Sequence, residues 1–176
     1  MVLHHFLLHP LPFYKYKNTT FRKYLIQNIP LCCLFLLDIS VWILLFCNEN
    51  IGTNIENEPA VIEANNLNIF NYPFVHVTGH GNIIFNQNEI ENIRNYLLSG
   101  CFIHIDDNYG MDKYIRKEID KIFPNNDLLE LKNNHPIFNS KYKFNGLPKI
   151  HEHDGKDAQA FGITIEGRLV LIYTYE

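Results

Sequence analysis

Two short apolar segments, separated by a longer helical pattern, constrain the fold of this chain most strongly. Tyr72–Thr78 and Cys101–Asp106 are rich in β-branched and aromatic residues, and each is too short to form a helix. Between them, Asn86 precedes Glu89 by three residues, as in a capping box, and Gly100 marks a helix end. Apolar residues in this interval recur at helical spacing, at Ile90, Ile93, Leu97 and Leu98. The sequence therefore predicts strand, helix, strand.

The same alternation continues toward the carboxyl terminus. Asp112 is placed to cap a second helix that Pro124 ends, and its buried stripe is predicted at Ile115, Ile119, Ile122 and Phe123. Leu128–Leu131 is a short strand candidate. Phe161–Ile165 and Arg168–Tyr175 flank Glu166-Gly167 and read as a hairpin or two consecutive strands. We therefore expect an α/β fold with a largely parallel sheet covered on both faces.

The first 47 residues differ from the remainder of the chain. Residues 1–47 contain no glycine, and Ile29–Cys47 is a 19-residue apolar stretch that follows four basic residues. Three interpretations stay open: a signal anchor or membrane-associated segment, a buried helix, or sequence that does not belong to the domain. We therefore divide the chain into an N-terminal hydrophobic segment, 1–47, and an α/β domain, 48–176.

Composition excludes some function classes. A net charge of −4 and a pI near 6.1 provide no broad positive field for nucleic acid or an anionic membrane surface. We therefore expect no nucleic-acid partner. Any membrane association would come from Ile29–Cys47.

The predicted strand ends carry the polar residues that matter for function. Ligands of open parallel sheets bind outside the carboxyl ends of the strands. Gly79 and Gly81 flank His80 at one such end, so that the backbone and Asn82 could approach a ligand closely while the imidazole projects into the crevice. The alternative is a sharp structural turn with a hydrogen-bonded histidine.

A second polar group follows the next strand. His104 and Asp106 are two residues apart, so they share one face of that strand. We expect Asp106, Asp107, Asn108 and Tyr109 to emerge at the crevice as metal ligands, a general base or a hydrogen-bonding platform. A buried polar network that merely fixes the loop is the alternative.

His151-Glu152-His153-Asp154 is the densest group of potential metal ligands in the sequence. His151 and His153 together with His80 could hold zinc with an open coordination position. The spacing is not a helical zinc signature, and a solvated polar loop is the other interpretation.

Three further residues are interpreted as structural. Cys101 lies at the amino end of its strand, away from the crevice, and is expected to be an unactivated core cysteine. His76 lies inside a strand and His135 beside a proline, which favours structural roles for both.

Three motifs give the chain a specific resemblance. Thr78–Gly81 (TGHG), Asp106–Asp112 (DDNYGMD) and Gly146–Gly155 (GLPKIHEHDG) resemble, in order and spacing, a bacterial family known as domain of unknown function family 4159, over Asn48–Glu176. The resemblance implies a class I glutamine amidotransferase-like fold, which is a three-layer, flavodoxin-like α/β sandwich. It also implies that this chain lacks the first strand and the closing elements of the family fold, and is thus truncated at both ends.

The resemblance also bears on function. Amidotransferases of that fold carry a cysteine at the turn after a central strand, where this chain has Asp107 and Asn108, so thiolate-dependent glutamine hydrolysis is not expected. We predict binding of a small polar ligand, with a divalent metal. In a hydrolytic reaction, Asp107 or His153 would be the general base, and His80 with the Gly81 amide would stabilise the developing anion. The alternative is a non-catalytic interaction module of the cell envelope. The resemblance implies this location, membrane-associated or periplasmic, because relatives in the family often carry an amino-terminal signal peptide or a membrane segment.

Overall fold

A computed structural model describes residues 24–25, 34–56, 59–149, 155 and 157–175 of the chain. Three α-helices occur in this part: α1 (Leu34–Ile51), α2 (Gln87–Leu98) and α3 (Asp112–Ile122). Its strands are β1 (Tyr24–Leu25), β2 (Ala60–Val61), β3 (Phe74–His80), β4 (Phe102–Tyr109), β5 (Leu129–Glu130), β6 (Gln159–Ile165) and β7 (Arg168–Tyr175). Short 3-10 helices span Leu67–Asn71 and Pro136–Asn139.

All seven strands of the described residues form one open sheet, in the order β2-β1-β3-β4-β7-β6-β5. The pairs from β2 to β7 are parallel, whereas β7 with β6 and β6 with β5 are antiparallel. The predicted α/β class is therefore confirmed, with a sheet that is mixed. The sheet is mixed because the two-residue connection between β6 and β7 allows only an antiparallel pairing. Of the two alternatives left open by the sequence, a hairpin or two consecutive strands, the hairpin is the one that forms.

The larger core lies on the sheet face that α2 and α3 cover. Alternate residues of the strands point to this face, such as Val75 and Val77 of β3 and Ile103 and Ile105 of β4. The amphipathic stripes predicted for the helices supply the opposing side, and their buried members are Ile90, Ile93 and Leu97 of α2 and Ile115, Ile119 and Ile122 of α3. Leu98, which was also predicted for the stripe of α2, is exposed. A smaller cluster forms on the other face around Ile137, Phe138, Ala160, Leu169 and Ile172.

The start of α2 follows the sequence prediction, but the start of α3 does not. The Asn86 side chain accepts from the Glu89 amide while the Glu89 carboxylate accepts from the Asn86 amide, so the predicted capping box is confirmed. The residue that caps α3 by position is Met111, and Asp112 is the first helical residue. The expectation that Asp112 caps this helix is wrong, because the carboxylate of Asp107 already accepts from the amides that begin it.

Strand β4 is longer than the sequence indicated. The prediction ended it at Asp106, but pairing with β3 and β7 continues through Asp107, and β4 ends at Tyr109. Similarly, β3 runs two residues beyond Thr78, to His80. His80 and Asp107, which the prediction placed in loops, are therefore strand residues, and Asp106 and Asp107 point to opposite faces of the sheet.

Arg168, at the start of β7, ties the hairpin to the end of α2. Its guanidinium donates to the carbonyl oxygens of Leu97, Gly100 and Cys101, the last at 3.0 Å. These carbonyls lie at and just beyond the carboxyl end of α2, where a cation also opposes the helix dipole. The hairpin is thereby fixed to the helix layer.

Helix α1 overlaps the apolar stretch Ile29–Cys47 from Leu34 onward, and its Leu44 and Cys47 are buried. Among the described residues, no helix combines the length and hydrophobicity that crossing a bilayer requires.

The hairpin turn gives a direct test of the β6–β7 connection. Glu166 and Gly167 both have positive φ, 49° and 77°, as a two-residue hairpin turn of the primed type requires. We expect Gly167→Ala to lower the free energy of unfolding by about 1 kcal/mol, because alanine is strained at this φ. Glu166→Asn should instead raise the free energy of unfolding, since asparagine tolerates the left-handed region better than glutamate does. Urea denaturation measures both, and an equal effect of the two variants would contradict this assignment.

Candidate functional site

The carboxyl ends of β3, β4 and β7 meet at one edge of the sheet, because the three strands are parallel. His80 at the end of β3 is exposed and is the register partner of Tyr109, which is 60% exposed at the end of β4. Asn82 is exposed in the loop that follows His80, and Gly79 is buried beneath it. The structure thus brings these predicted ligand-binding residues together at the edge where open α/β sheets bind ligands.

The turn after β3 depends on Gly81. Its φ is +70°, a conformation that a side chain would strain, and its amide donates to the Tyr109 carbonyl at 3.0 Å. This bond joins the ends of β3 and β4. The anion-stabilising role predicted for the Gly81 amide would require that bond to break, so the amide is a structural donor in this arrangement.

A row of hydrogen-bonded polar side chains, which we call a file, runs across β3, β4 and β7 behind this edge. His76 Nδ1 lies 3.2 Å from His104 Nδ1, and His104 Nε2 lies 3.0 Å from Thr174 Oγ1. The Thr174 hydroxyl donates to Asp106 Oδ1 at 2.5 Å. His76 and Thr174 are buried, whereas His104 and Asp106 are partly buried. The prediction that His104 and Asp106 share one face is confirmed, and Thr174 connects them.

The proton positions in this file follow from the donor inventory. A carboxylate only accepts, so the single Thr174 proton goes to Asp106, and Thr174 must accept from His104 Nε2–H. In a neutral His104 the Nδ1 atom then carries a lone pair, which faces His76 Nδ1. The carboxylate of Asp106 therefore sets the tautomer of a histidine through a hydroxyl.

Asp107 lies on the opposite face from Asp106, because the two are consecutive residues of β4. Its oxygens accept from the Met111 amide at 2.9 and 3.0 Å and from the Asp112 amide at 2.8 Å, and one also accepts from the Tyr173 hydroxyl at 3.3 Å. The single proton of this hydroxyl is shared with Asp112 Oδ1, the closer acceptor at 2.8 Å. Asp107 is thus 4% exposed beneath the start of α3 and does not join Asp106 in one cluster.

Burial shifts the pKa values of Asp107 and Tyr173. It raises the pKa of the Asp107 carboxyl above the ordinary value, although the Met111 and Asp112 amides and the Tyr173 hydroxyl act in the opposite direction. It also raises the pKa of Tyr173, together with hydrogen bonding to Asp112. Tyr173 therefore stays a neutral donor between two carboxyl groups.

Glu118 of α3 positions the loop after β3. Its Oε2 atom accepts from the Phe85 amide at 3.0 Å and its Oε1 atom accepts from Lys121 at 2.7 Å. Glu118 is only 4% exposed. A buried carboxylate on a helix thus holds the loop that begins at Gly81.

The structure does not describe the side chains of three predicted site residues, His151, His153 and Asn108. His151 and His153 lie outside the described residues, and the structure describes only the backbone of Asn108. Within the described part of the chain, no group of three or more histidine, cysteine or acidic side chains is arranged to hold a metal. The metal site at His80, His151 and His153 stays a prediction.

No site role was predicted for His76, Thr174 or Glu118 from the sequence. For His76 a sequence signal exists: like His104, it lies two residues before the predicted end of its strand, on the strand face that leads to the crevice. Glu118 offered none, because it reads as one more charged residue of an amphipathic helix. Cys101 is partly buried, and burial raises the pKa of its thiol, as expected for an unactivated cysteine.

The fold and the site together define a mixed α/β domain whose polar groups gather at the carboxyl edge of an open sheet. The chain belongs to the family described as domain of unknown function (DUF4159), whose model matches residues 42–176. The match begins six residues before Asn48, inside α1. No curated protein gave a significant match to the chain.

Proposed function

We propose that this chain is a ligand-binding domain of the amidotransferase-like type without a nucleophilic cysteine, and that it binds a small polar ligand at the carboxyl edge of β3, β4 and β7. The ligand would contact His80, Asn82, Asp106 and Tyr109, together with the glycine-lined turn at Gly79 and Gly81. A divalent metal held by His80, His151 and His153 would take part. In hydrolysis, Asp107 or His153 would be the general base.

The same proposal includes a flavodoxin-like, three-layer fold for the domain. The parallel strands follow the order β2-β1-β3-β4-β7, which is the 2-1-3-4-5 order of flavodoxin-like sheets. The right-handed crossover rule then expects α1 on the face opposite α2 and α3, giving three layers. The strand order supports a flavodoxin-like class, of which the amidotransferase-like fold is a branch.

One observation carries the binding proposal: the exposed pair His80 and Tyr109 lies at the point where the strand order reverses. In the sheet β2 lies on one side of β1 and β3 on the other, and in open α/β sheets ligands bind beyond the carboxyl ends of the strands at such a point. His80 ends β3 at that point. An exposed imidazole and phenol there offer both hydrogen bonding and stacking to a polar ligand.

The test is thermal unfolding of the full chain in chelator and then with zinc, magnesium or manganese. A ligand that binds only the folded state raises the melting temperature, so we expect a rise that His80→Gln diminishes. His80 is exposed, so this variant should fold, and its own melting temperature in chelator is the reference for its rise with metal. Equal rises in wild type and His80→Gln would contradict metal binding at the edge, and a cooperative transition with no response to any metal would favour a non-catalytic interaction module.

A further inference from the structure

We propose that His76 and His104 bind one divalent transition-metal ion through their Nδ1 atoms, at a site behind the carboxyl edge of the sheet. The inference goes beyond the proposed function and does not depend on it. It uses two residues that the proposed ligand site leaves out.

The separation of the two nitrogens fits a shared ion. His76 and His104 are register partners on β3 and β4, and their Nδ1 atoms lie 3.2 Å apart. Two nitrogens bound to one tetrahedral zinc ion at about 2.0–2.1 Å are about 3.3 Å apart. The spacing of the two Nδ1 atoms therefore suits one shared ion, which would take the place of the hydrogen bond between the rings.

The hydrogen bonds around His104 have the form of a metal-site second shell. A ligating histidine normally donates its other ring N–H to a carboxylate, a carbonyl or water, which fixes the tautomer and increases ligand basicity. His104 Nε2 does so to Thr174, which in turn donates to Asp106. This leaves His104 Nδ1 with a lone pair that faces His76 Nδ1 and is available to an ion bound between the two rings.

Charge and rigidity also favour the site. Both ligands would be neutral imidazoles, and the Asp106 carboxylate is linked to the ligand His104 by two hydrogen bonds, so that it offsets part of the positive charge. Both ligands stand on central strands of the sheet, which limits their motion better than a loop would. His104 is only partly buried, so an ion can reach the pair from its side. Water or further side chains would complete the coordination.

This site is distinct from the one predicted at His80. His76 and His80 are four residues apart in the same strand, which corresponds to about 13 Å. One ion cannot contact both histidines. The two metal proposals therefore succeed or fail separately, and substitutions distinguish them.

The experiment is a zinc titration of the full chain by calorimetry, in the wild type and in single variants. We expect His76→Gln and His104→Gln each to weaken zinc binding by at least about tenfold, and Thr174→Val to weaken it by about tenfold through the lost second shell. His135→Asn is the matched control. His135 accepts from the Ile137 amide at the start of a 3-10 helix, a role that asparagine can also fill, so zinc binding should not change.

The outcomes separate the two sites. Wild-type affinity in both His76→Gln and His104→Gln overturns this proposal, as does the absence of zinc binding by the wild type. Loss of zinc binding in His80→Gln alone also overturns it, while supporting the metal of the proposed function. Loss in the His76 and His104 variants, with unchanged binding in His80→Gln, supports this site.

A measurement on the wild type covers the case in which a strand variant does not fold. Imidazole ¹⁵N spectra distinguish Nδ1 from Nε2 ligation. Addition of zinc should move the Nδ1 resonances of two histidines and leave their Nε2 atoms protonated. Ligation through Nε2 alone would overturn the proposal.

Discussion

Replacing Asp107 by alanine is expected to destabilise the protein by about 3 kcal/mol. The carboxylate accepts from two backbone amides that begin α3 and from the Tyr173 hydroxyl. Alanine leaves these donors without this acceptor at a site that is 4% exposed in the wild type. Chemical denaturation of the full chain measures the effect.

Two comparisons show whether the cap is the cause. Asp120→Ala removes an exposed aspartate from the same helix, near its carboxyl end, and should change stability by no more than a few tenths of a kcal/mol. Asp107→Asn keeps one oxygen acceptor and should cost about half as much as alanine. Equal stability of Asp107→Ala and Asp120→Ala would refute the capping role.

The pH dependence of stability gives a second readout of the same residue. Burial raises the pKa of Asp107 above that of the unfolded chain, so the folded state binds its proton more tightly. The stability contributed by this group is present below the unfolded pKa, about 3.9, and is lost as pH rises through the folded pKa. This component of the pH profile should be absent from Asp107→Asn.

Asp107 also bears on the catalytic hypothesis. The sequence assigned it to the crevice as a general base, and that role stays a prediction. Because its carboxylate caps α3, a loss of function in Asp107→Ala would follow from either role. Asp107→Asn, tested at a temperature where both proteins are folded, separates them: lost turnover in a stably folded variant supports catalysis.

The elements were predictable because their signals are local. Both strands that bracket α2, the capping box at Asn86 and Glu89, and the turn at Glu166-Gly167 each follow from a few adjacent residues. The parallel pairing of β3 and β4 also followed from the helix between them. The strand candidate at Leu128–Leu131 is confirmed as the short β5, although its pairing with β6, which is distant in sequence, was not predicted.

The candidate site was less predictable because it depends on where a strand ends. Ending β4 at Asp106 left Asp107 in a loop and let both carboxylates reach the crevice, whereas β4 continues for three more residues and sends Asp106 and Asp107 to opposite faces. The contact of His104 with Thr174 joins residues 70 positions apart. No local pattern contains that contact, and it required the register of β4 with β7.

Replacing Glu118 by alanine is expected to cost about 2–3 kcal/mol and to loosen the loop that follows β3. Glu118 is buried, and its loss leaves the Phe85 amide without this acceptor. Amide hydrogen exchange should then show lower protection at Phe85. Because this loop begins at Gly81 beside His80, Glu118→Ala should also weaken any metal response that depends on His80.

Lys121→Ala is the matched control, since Lys121 contacts the same carboxylate but has a side chain that is 48% exposed. Its loss should cost at most about 0.5 kcal/mol. Unchanged protection of Phe85 in Glu118→Ala would show that the loop is held by other contacts, such as the bond from Gly81 to Tyr109.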